Sequence, residues 1–149
     1  LLIVGRGQQT EDLKNLAIQL KIADDVVFTG FIDHALVPAY HNMIHVSCFL
    51  SNSESFGVSV LVASSCEKRV VVTNVGGLPE VVDDSSTGFI VPPRDEAAAS
   101  LAIEKLILNS DLRKTLGKKG REKVSLLYDW NKNLEEIIQI YNDVLSNGS

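Results

Sequence analysis

The sequence lacks any block of basic residues and any long apolar run. Its 149 residues carry 14 Lys and Arg against 19 Asp and Glu, a formal net charge of −5. This acidic balance argues against a nucleic-acid-binding surface. No apolar run approaches the ~20 residues of a membrane-spanning helix, and the first residues lack the basic front of a signal peptide. We therefore expect a cytoplasmic protein with no nucleic-acid partner.

Cysteine is scarce, and no metal-binding pattern is present. The two cysteines, Cys48 and Cys66, each lie in an apolar run. We expect both to be small buried thiols in a reducing compartment. Neither a Cys-x-x-Cys pair nor a Cys/His spacing typical of a metal site occurs. The sequence thus predicts no metal.

Short apolar runs alternate with segments of helical periodicity. The runs are continuous, as expected of parallel strands buried on both faces, and they cover residues 1–4, 26–29, 44–50, 69–73 and 88–91. This alternation predicts an α/β fold, a Rossmann-like three-layer α/β/α arrangement with a parallel sheet and appended C-terminal helices. The length suits a single domain over residues 1–149. Because the chain begins in mid-strand without Met, we expect a piece of a longer protein.

Four loops of unusual composition come directly after predicted strands. In open α/β sheets, ligands bind at the carboxyl ends of the strands. We therefore expect these loops to share one edge of the sheet and to form a ligand crevice. They cover residues 5–7, 30–32, 51–57 and 74–80.

The loop over residues 51–57 is the most informative of the four. Its polar turn leads through Phe56 and Gly57 into an apolar helix. The start of that helix offers unpaired N–H groups and the positive pole of the helix dipole, which favour phosphate. Glu54 can accept hydrogen bonds from sugar hydroxyls. The alternative is an ordinary connection in which Ser53 or Ser55 caps the helix.

Other candidate groups give weaker signals. Gly5-x-Gly7 lacks the third glycine of a dinucleotide fingerprint, because Thr10 stands at that position. This absence disfavours a dehydrogenase half. The three histidines lie on separate predicted elements, and we expect structural or solvent-exposed roles for them.

The motifs, taken in order and spacing, resemble those of one family. The matching segments are 2–7, 27–31, 51–57, 75–82 and 87–93. The chain resembles the C-terminal, donor-binding domain of the group 1 (family 4) retaining glycosyltransferases of GT-B fold. Such enzymes move a sugar from a nucleotide-sugar to an acceptor in the cleft between two Rossmann-like domains.

The resemblance implies the ligands and partners of this chain. The donor is expected to be a UDP-, GDP- or ADP-sugar, and the acceptor a glycan or lipid. The N-terminal domain of the same chain would supply the acceptor site. Peripheral association of the longer protein with a membrane is a further expectation. The family needs no cofactor or metal, because basic side chains and amides stabilise the leaving group.

The resemblance also implies the site residues. Those expected to bind the donor sugar and diphosphate are Glu54, Ser55, Phe56, Gly57, Val58, Gly76, Gly77 and Glu80. Those expected near the nucleotide are Gly5, Gly7, Gly30, Phe31, Ile32 and Val62. No catalytic residue is assigned within this chain. The family's diphosphate-binding Arg and Lys are expected to precede its first residue, so we expect the chain alone to be inactive.

Two positions depart from the family pattern. Val62 stands where the second Glu of an E-x7-E motif is expected to hold the ribose. Losing a hydrogen bond to a charged partner costs about 1.5–3 kcal/mol, or roughly 10- to 150-fold in affinity. Glu67 replaces a glycine that usually follows the cysteine of this helix. These departures leave open an alternative, a transferase-like domain that has lost donor binding and acts as a binding or scaffold module.

Overall fold

A computed structural model of the chain describes residues 1–147, in which short strands alternate with helices. The elements are β1 (Leu2–Val4), α1 (Thr10–Gln19), β2 (Val27–Gly30), α2 (Val37–Met43), β3 (Val46–Phe49), α3 (Val58–Ser65), β4 (Arg69–Thr73), α4 (Leu78–Val81), β5 (Gly88–Val91), α5 (Glu96–Leu108), α6 (Ser110–Leu127) and α7 (Trp130–Asn147). Single turns of 3-10 helix precede β2 and α2.

All strand pairs within the named ladders are parallel, which confirms the α/β class. The strands form two sheets where the sequence predicted one, β1-β2 and β3-β4-β5. The sheet divides because β1 and β3 are not hydrogen-bonded to each other as neighbouring strands. Within residues 1–147, β1 makes its ladder with β2, β3 makes its own with β4, and no ladder joins the two groups.

The two sheets belong to two compact units, Leu1–Tyr40 and His41–Ser149. In the first unit, α1 packs with little burial, since Ala17 is its one buried residue. The second unit contains the main hydrophobic core.

Strand β4 is the centre of the core in the second unit. Successive side chains of a strand point to opposite faces, and β4 has apolar residues on both. Val70 and Val72 pack with α3 and α4 in one cluster. Val71 packs with β5, α5 and α6 in the other. The sheet is therefore covered by helices on both sides, as a three-layer fold requires.

Helix α7 differs from the rest of the second unit. Every residue from Trp130 to Ser146 is exposed. Its apolar side chains, Leu134, Ile137, Tyr141 and Val144 among them, are therefore left in solvent. None of the helices described within residues 1–147 is both long and apolar enough to cross a membrane.

The cysteines differ from the expectation of two buried thiols. Cys48 is exposed and Cys66 is half-buried. Cys48 lies on β3, an edge strand of the three-stranded sheet, so its side chain is covered by neighbours on one side only.

Helix α3 ends in a Schellman motif. The Lys68 N–H donates to the Ala63 carbonyl at 3.0 Å, and the Glu67 N–H donates to the Ser64 carbonyl at 2.9 Å. This motif needs a left-handed residue at its turn, usually glycine. Glu67 occupies that position with φ +57°. The departure from the family's glycine therefore falls on a backbone conformation that glycine adopts most easily.

Glu67→Gly is expected to stabilise the protein by about 1 kcal/mol, because an L side chain in the left-handed region carries a steric cost that glycine avoids. The substitution also removes the exposed Glu67–Arg121 ion pair, with an N–O separation of 3.8 Å. Such pairs contribute little. Urea-induced unfolding followed by circular dichroism measures the change. Glu67→Ala is the matched control, since it removes the charge but keeps Cβ. An equal gain in both variants would contradict the backbone explanation.

Candidate functional site

The loop over residues 51–57 is anchored to the end of β4. The Thr73 hydroxyl donates to the Ser51 carbonyl at 2.6 Å, and Thr73 is only 3% exposed. Further along the loop, Arg94 Nε donates to Asn52 Oδ1 at 3.3 Å. A buried hydroxyl and an arginine thus fix the start of the loop.

The loop over residues 74–80 packs directly on this first loop. A Cβ built on Gly76 would lie 1.5 Å from the Glu54 carbonyl oxygen, and one on Gly77 would lie 2.8 Å from that of Ser55. Gly76 also has φ +51°. Only glycine allows backbones to approach so closely. The expectation that these two loops meet is therefore confirmed within the second unit.

Gly57 is the N-cap of α3; it has φ +99° and provides no side-chain cap. The Gly57 carbonyl accepts from Val60 and Leu61 N–H. Among the described residues, the amides of Val58 and Ser59 have no acceptor. The alternative in which Ser53 or Ser55 caps the helix is therefore wrong, and the first turn keeps free N–H donors at the positive end of the helix.

The Glu54 carboxylate is held beside this helix start. One of its oxygens, Oε1, accepts from the Ser55 N–H at 3.0 Å, and the residue is half-buried. Within the described part of the chain, the other oxygen has no hydrogen-bond partner. A carboxylate can accept about four hydrogen bonds. Glu54 thus combines one hydrogen bond to its own loop with free acceptor capacity.

Phe56 and Glu80 share a neighbour, Tyr128, the residue that directly follows α6. The rings of Phe56 and Tyr128 lie 5.7 Å apart at 68°, an edge-to-face contact. The Tyr128 hydroxyl donates to the Glu80 carbonyl at 3.2 Å. The Glu80 side chain itself is exposed.

Val62 lies on the second turn of α3 and is half-buried. Its side chain provides no polar atom, while its carbonyl accepts from Ser65 Oγ at 2.8 Å. The helix therefore presents no acceptor side chain at the position where the family resemblance implied a ribose-binding carboxylate.

The first unit holds a second group of predicted residues. The Gly5 N–H donates to the Gly30 carbonyl at 2.9 Å, and both glycines have positive φ, +112° and +67°. Thr10, the first residue of α1, makes two hydrogen bonds to Gly7. Its hydroxyl donates to the Gly7 carbonyl at 2.8 Å and accepts from the Gly7 N–H at 3.1 Å. Thr10 thus closes the turn at the position where a dinucleotide fingerprint has glycine.

Phe31 extends from this group into solvent. It is 73% exposed, and the Arg6 guanidinium lies 5.9 Å from its ring centroid. The neighbouring recess, of about 560 Å³, is lined by residues that include Gly5, Arg6 and Gly7. An exposed ring beside a glycine-lined recess is available for stacking.

Sequence reasoning missed the residues that support the loops from elsewhere in the chain. Thr73 follows a run of valines, Arg94 follows two prolines, Lys123 lies on α6, and Tyr128 directly follows that helix. Their partners are 22 to 48 residues away along the chain. The one available signal was a polar residue at the end of an otherwise apolar strand, at Thr73.

Gly76→Ala is expected to lower the free energy of unfolding by about 2 kcal/mol or more, because a Cβ must displace the Glu54 backbone and adopt a strained φ. Gly7→Ala is the matched control, since a Cβ built there meets nothing within 4 Å. Thermal and urea unfolding of both variants provide the measurement. If the two alanines had equal effects, the close approach of the loops would be wrong.

Comparison with known proteins shows which family has these motifs. The sequence model for glycosyl transferases group 1 matches residues 1–123. A curated relative, the GDP-mannose-dependent alpha-(1-6)-phosphatidylinositol monomannoside mannosyltransferase of Mycobacterium tuberculosis, is 32% identical over 138 residues. The match covers 88% of this chain and 36% of the relative.

Solved structures show the same relationship. Sucrose-phosphate synthase from Thermosynechococcus elongatus matches with a TM-score of 0.90 and 31% identity, over 99% of this chain and 39% of that one. HepE from Anabaena, solved in complex with UDP-glucose, matches with a TM-score of 0.87 over 95% of this chain and 40% of that one. Its 22% identity makes it a likeness of fold alone.

The chain spans well under half the length of these relatives. The family match nevertheless takes in β1 to β5 and both groups of predicted site residues. The chain therefore belongs to the group 1 glycosyl transferases.

Proposed function

We propose that this chain is the donor-binding part of a glycosyltransferase. The longer protein would transfer a hexose from a nucleotide-sugar to a glycan or lipid acceptor with retention of configuration. One observation carries the proposal: the loop that places Glu54 before a helix start with free amides is packed directly against Gly76 and Gly77.

The diphosphate is proposed to bind at the start of α3. The amides of Val58 and Ser59 have no acceptor among the described residues, and the positive end of the helix dipole adds to their attraction for an anion. Phe56 and Gly57 bring the backbone to this point without a capping side chain. Backbone donors fixed in this way can stabilise charge on the leaving nucleoside diphosphate.

The transferred sugar is proposed to lie beside Glu54. This carboxylate keeps an oxygen free, and hydrogen bonds from hydroxyls to an ionised acceptor are stronger than those between neutral groups. The exposed side chain of Glu80 would face the same donor from α4.

The nucleoside is proposed to bind the residues of the first unit. Gly5 and Gly7 line the recess, and Gly30 is hydrogen-bonded to Gly5. Ile32 follows Phe31, whose ring offers a face for a base, an arrangement that tolerates different bases. The mannosyltransferase relative is named for GDP-mannose, and the HepE structure contains UDP-glucose. The name of the mannosyltransferase supports a nucleotide-sugar donor, and we propose a UDP-, GDP- or ADP-sugar.

The remaining parts of the reaction are assigned to the longer protein. It would contribute the acceptor site and the basic residues that bind the diphosphate. We propose that it is cytoplasmic and associates peripherally with a membrane. No cofactor or metal is included, because backbone amides and basic side chains can stabilise the leaving group.

Glu54→Gln is expected to weaken donor binding about tenfold or more, because the neutral amide loses a charge-assisted hydrogen bond to the sugar. Calorimetric titration with UDP-glucose, GDP-mannose and ADP-glucose measures affinity in the wild-type chain and the variant. Glu104→Gln, an exposed change on α5, controls for net charge. A wild-type chain that binds none of the three donors would contradict the proposed function, and unchanged binding by Glu54→Gln would remove Glu54 from the site.

A second candidate function is favoured by Val62. A half-buried valine replaces the carboxylate that the family resemblance implies for the ribose, which would suit a domain that has lost donor binding and serves as a scaffold module. The two candidates predict different changes in nucleotide affinity when a carboxylate is placed at position 62.

Val62→Glu discriminates between the two candidates. In a donor-binding protein adapted to valine, the new charge is expected to leave nucleotide affinity unchanged or to lower it, because burying a carboxylate carries a desolvation cost. In a decayed site it would raise affinity about tenfold or more. The same titrations report the result. Val62→Gln, which adds bulk without charge, separates ribose binding from a change in packing.

A further inference from the structure

We propose that Tyr128 is a positioning residue that couples the two loops of the donor site. It contacts both of them and binds no part of the donor itself. The inference rests on the proposed function, because it assigns Tyr128 the role of holding Phe56 and Glu80 in place for donor binding.

The ring and the hydroxyl of Tyr128 contact different loops. The ring meets Phe56 edge to face, with centroids 5.7 Å apart at 68°. The hydroxyl donates to the Glu80 carbonyl at 3.2 Å. A single side chain therefore joins residue 56, just before the start of α3, to residue 80 on α4.

Lys123 strengthens the contact with α4. Its Nζ donates to the Glu80 carbonyl at 2.8 Å and to Asp83 Oδ1 at 2.8 Å. The Lys123 side chain is 14% exposed, whereas that of Asp83 is 56% exposed. Cations are favourable at the C-terminal end of a helix, so Lys123 and Tyr128 together fix the end of α4.

Tyr128 is itself firmly held. Its N–H donates to the Val124 carbonyl at 2.9 Å, which makes it the last hydrogen-bonded residue of α6. Its ring packs on the core cluster that contains Val60 and Leu78, residues of α3 and α4. Tyr128 lies beyond the family match, which ends at residue 123, so its ring contact joins a residue outside the match to Phe56 inside it.

The effect on the site follows from these contacts. Phe56 is 37% exposed, and Tyr128 supplies the aromatic partner that restricts its ring. Phe56 precedes Gly57, whose conformation sets the direction of the Val58 and Ser59 amides. Loss of the Tyr128 contacts would let both loops open locally while the sheet core stays folded.

Hydrogen exchange tests the coupling without any ligand. Tyr128→Leu removes ring and hydroxyl, and Tyr128→Phe removes the hydroxyl alone. Tyr128→Leu is expected to raise amide exchange over residues 60–61, whose N–H groups donate to the Gly57 carbonyl, and over residues 78–81. Tyr128→Phe is expected to raise it over residues 78–81 only. Leu112→Ala is the matched control, since Leu112 is also partly buried on α6 but packs on the opposite core cluster. Equal exchange in wild type and Tyr128→Leu over both segments would overturn the proposal.

Donor affinity provides the second readout. Tyr128→Leu is expected to weaken binding of the preferred nucleotide-sugar roughly threefold to tenfold, in line with the loss of an aromatic pair, with Tyr128→Phe between it and wild type. Leu112→Ala should lower stability and leave affinity within about twofold. If Tyr128→Leu and Leu112→Ala reduced affinity equally, Tyr128 would be structural only.

The two readouts also separate this inference from the proposed function. A wild-type chain that binds no donor would contradict the proposed function. The role of Tyr128 in donor binding would fall with it, whereas exchange would still show whether the loops are coupled. A wild-type chain that binds, with Tyr128→Leu unchanged in affinity, would overturn this inference alone.

Discussion

Two backbone segments of this protein, residues 54–56 and 76–77, approach so closely that no side chain fits between them. Gly76 and Gly77 press on the main chain of Glu54, Ser55 and Phe56, and the structure around them depends on that contact. It brings the end of β4 against the loop after β3, sets the start of α4 and holds Glu54 beside α3. Hydrophobic burial stabilises the fold, but this steric constraint decides where the polar groups of the site lie.

Much of the fold could be predicted from the sequence because its signals are local. Continuous apolar runs marked the strands, and β4, with Val70, Val71 and Val72 all at 0% exposure, is the clearest case. Glycine pairs after strands marked the loops, since few other residues allow such turns. The meeting of the loops at Glu54 and Gly76 followed from parallel topology, which places the carboxyl ends of neighbouring strands together.

What could not be predicted depends on contacts between distant segments. Nothing near Tyr128 in the sequence indicates that its ring contacts Phe56 or that its hydroxyl reaches Glu80, 48 residues away. The edge position of Cys48 and the division into two sheets depend on which strands share ladders, and composition does not encode that. The sequence shows that Glu67 departs from a family pattern of glycine. Only the backbone, with φ +57° at this residue, explains why glycine suits the position.

Helix α7 has a consequence for how the molecule unfolds. Its 18 residues are tied to the second unit through Tyr128 and Asp129, and every side chain from Trp130 to Ser146 is in solvent. The Asp129 carboxylate accepts from Asn131 and Lys132 N–H at 3.0 Å, which caps the helix but does not bury it. Most helical stability in proteins comes from packing of an apolar face, and the apolar side chains of α7 are exposed. The helical signal of this chain should therefore decay in two stages, with α7 melting ahead of a core whose transition is cooperative.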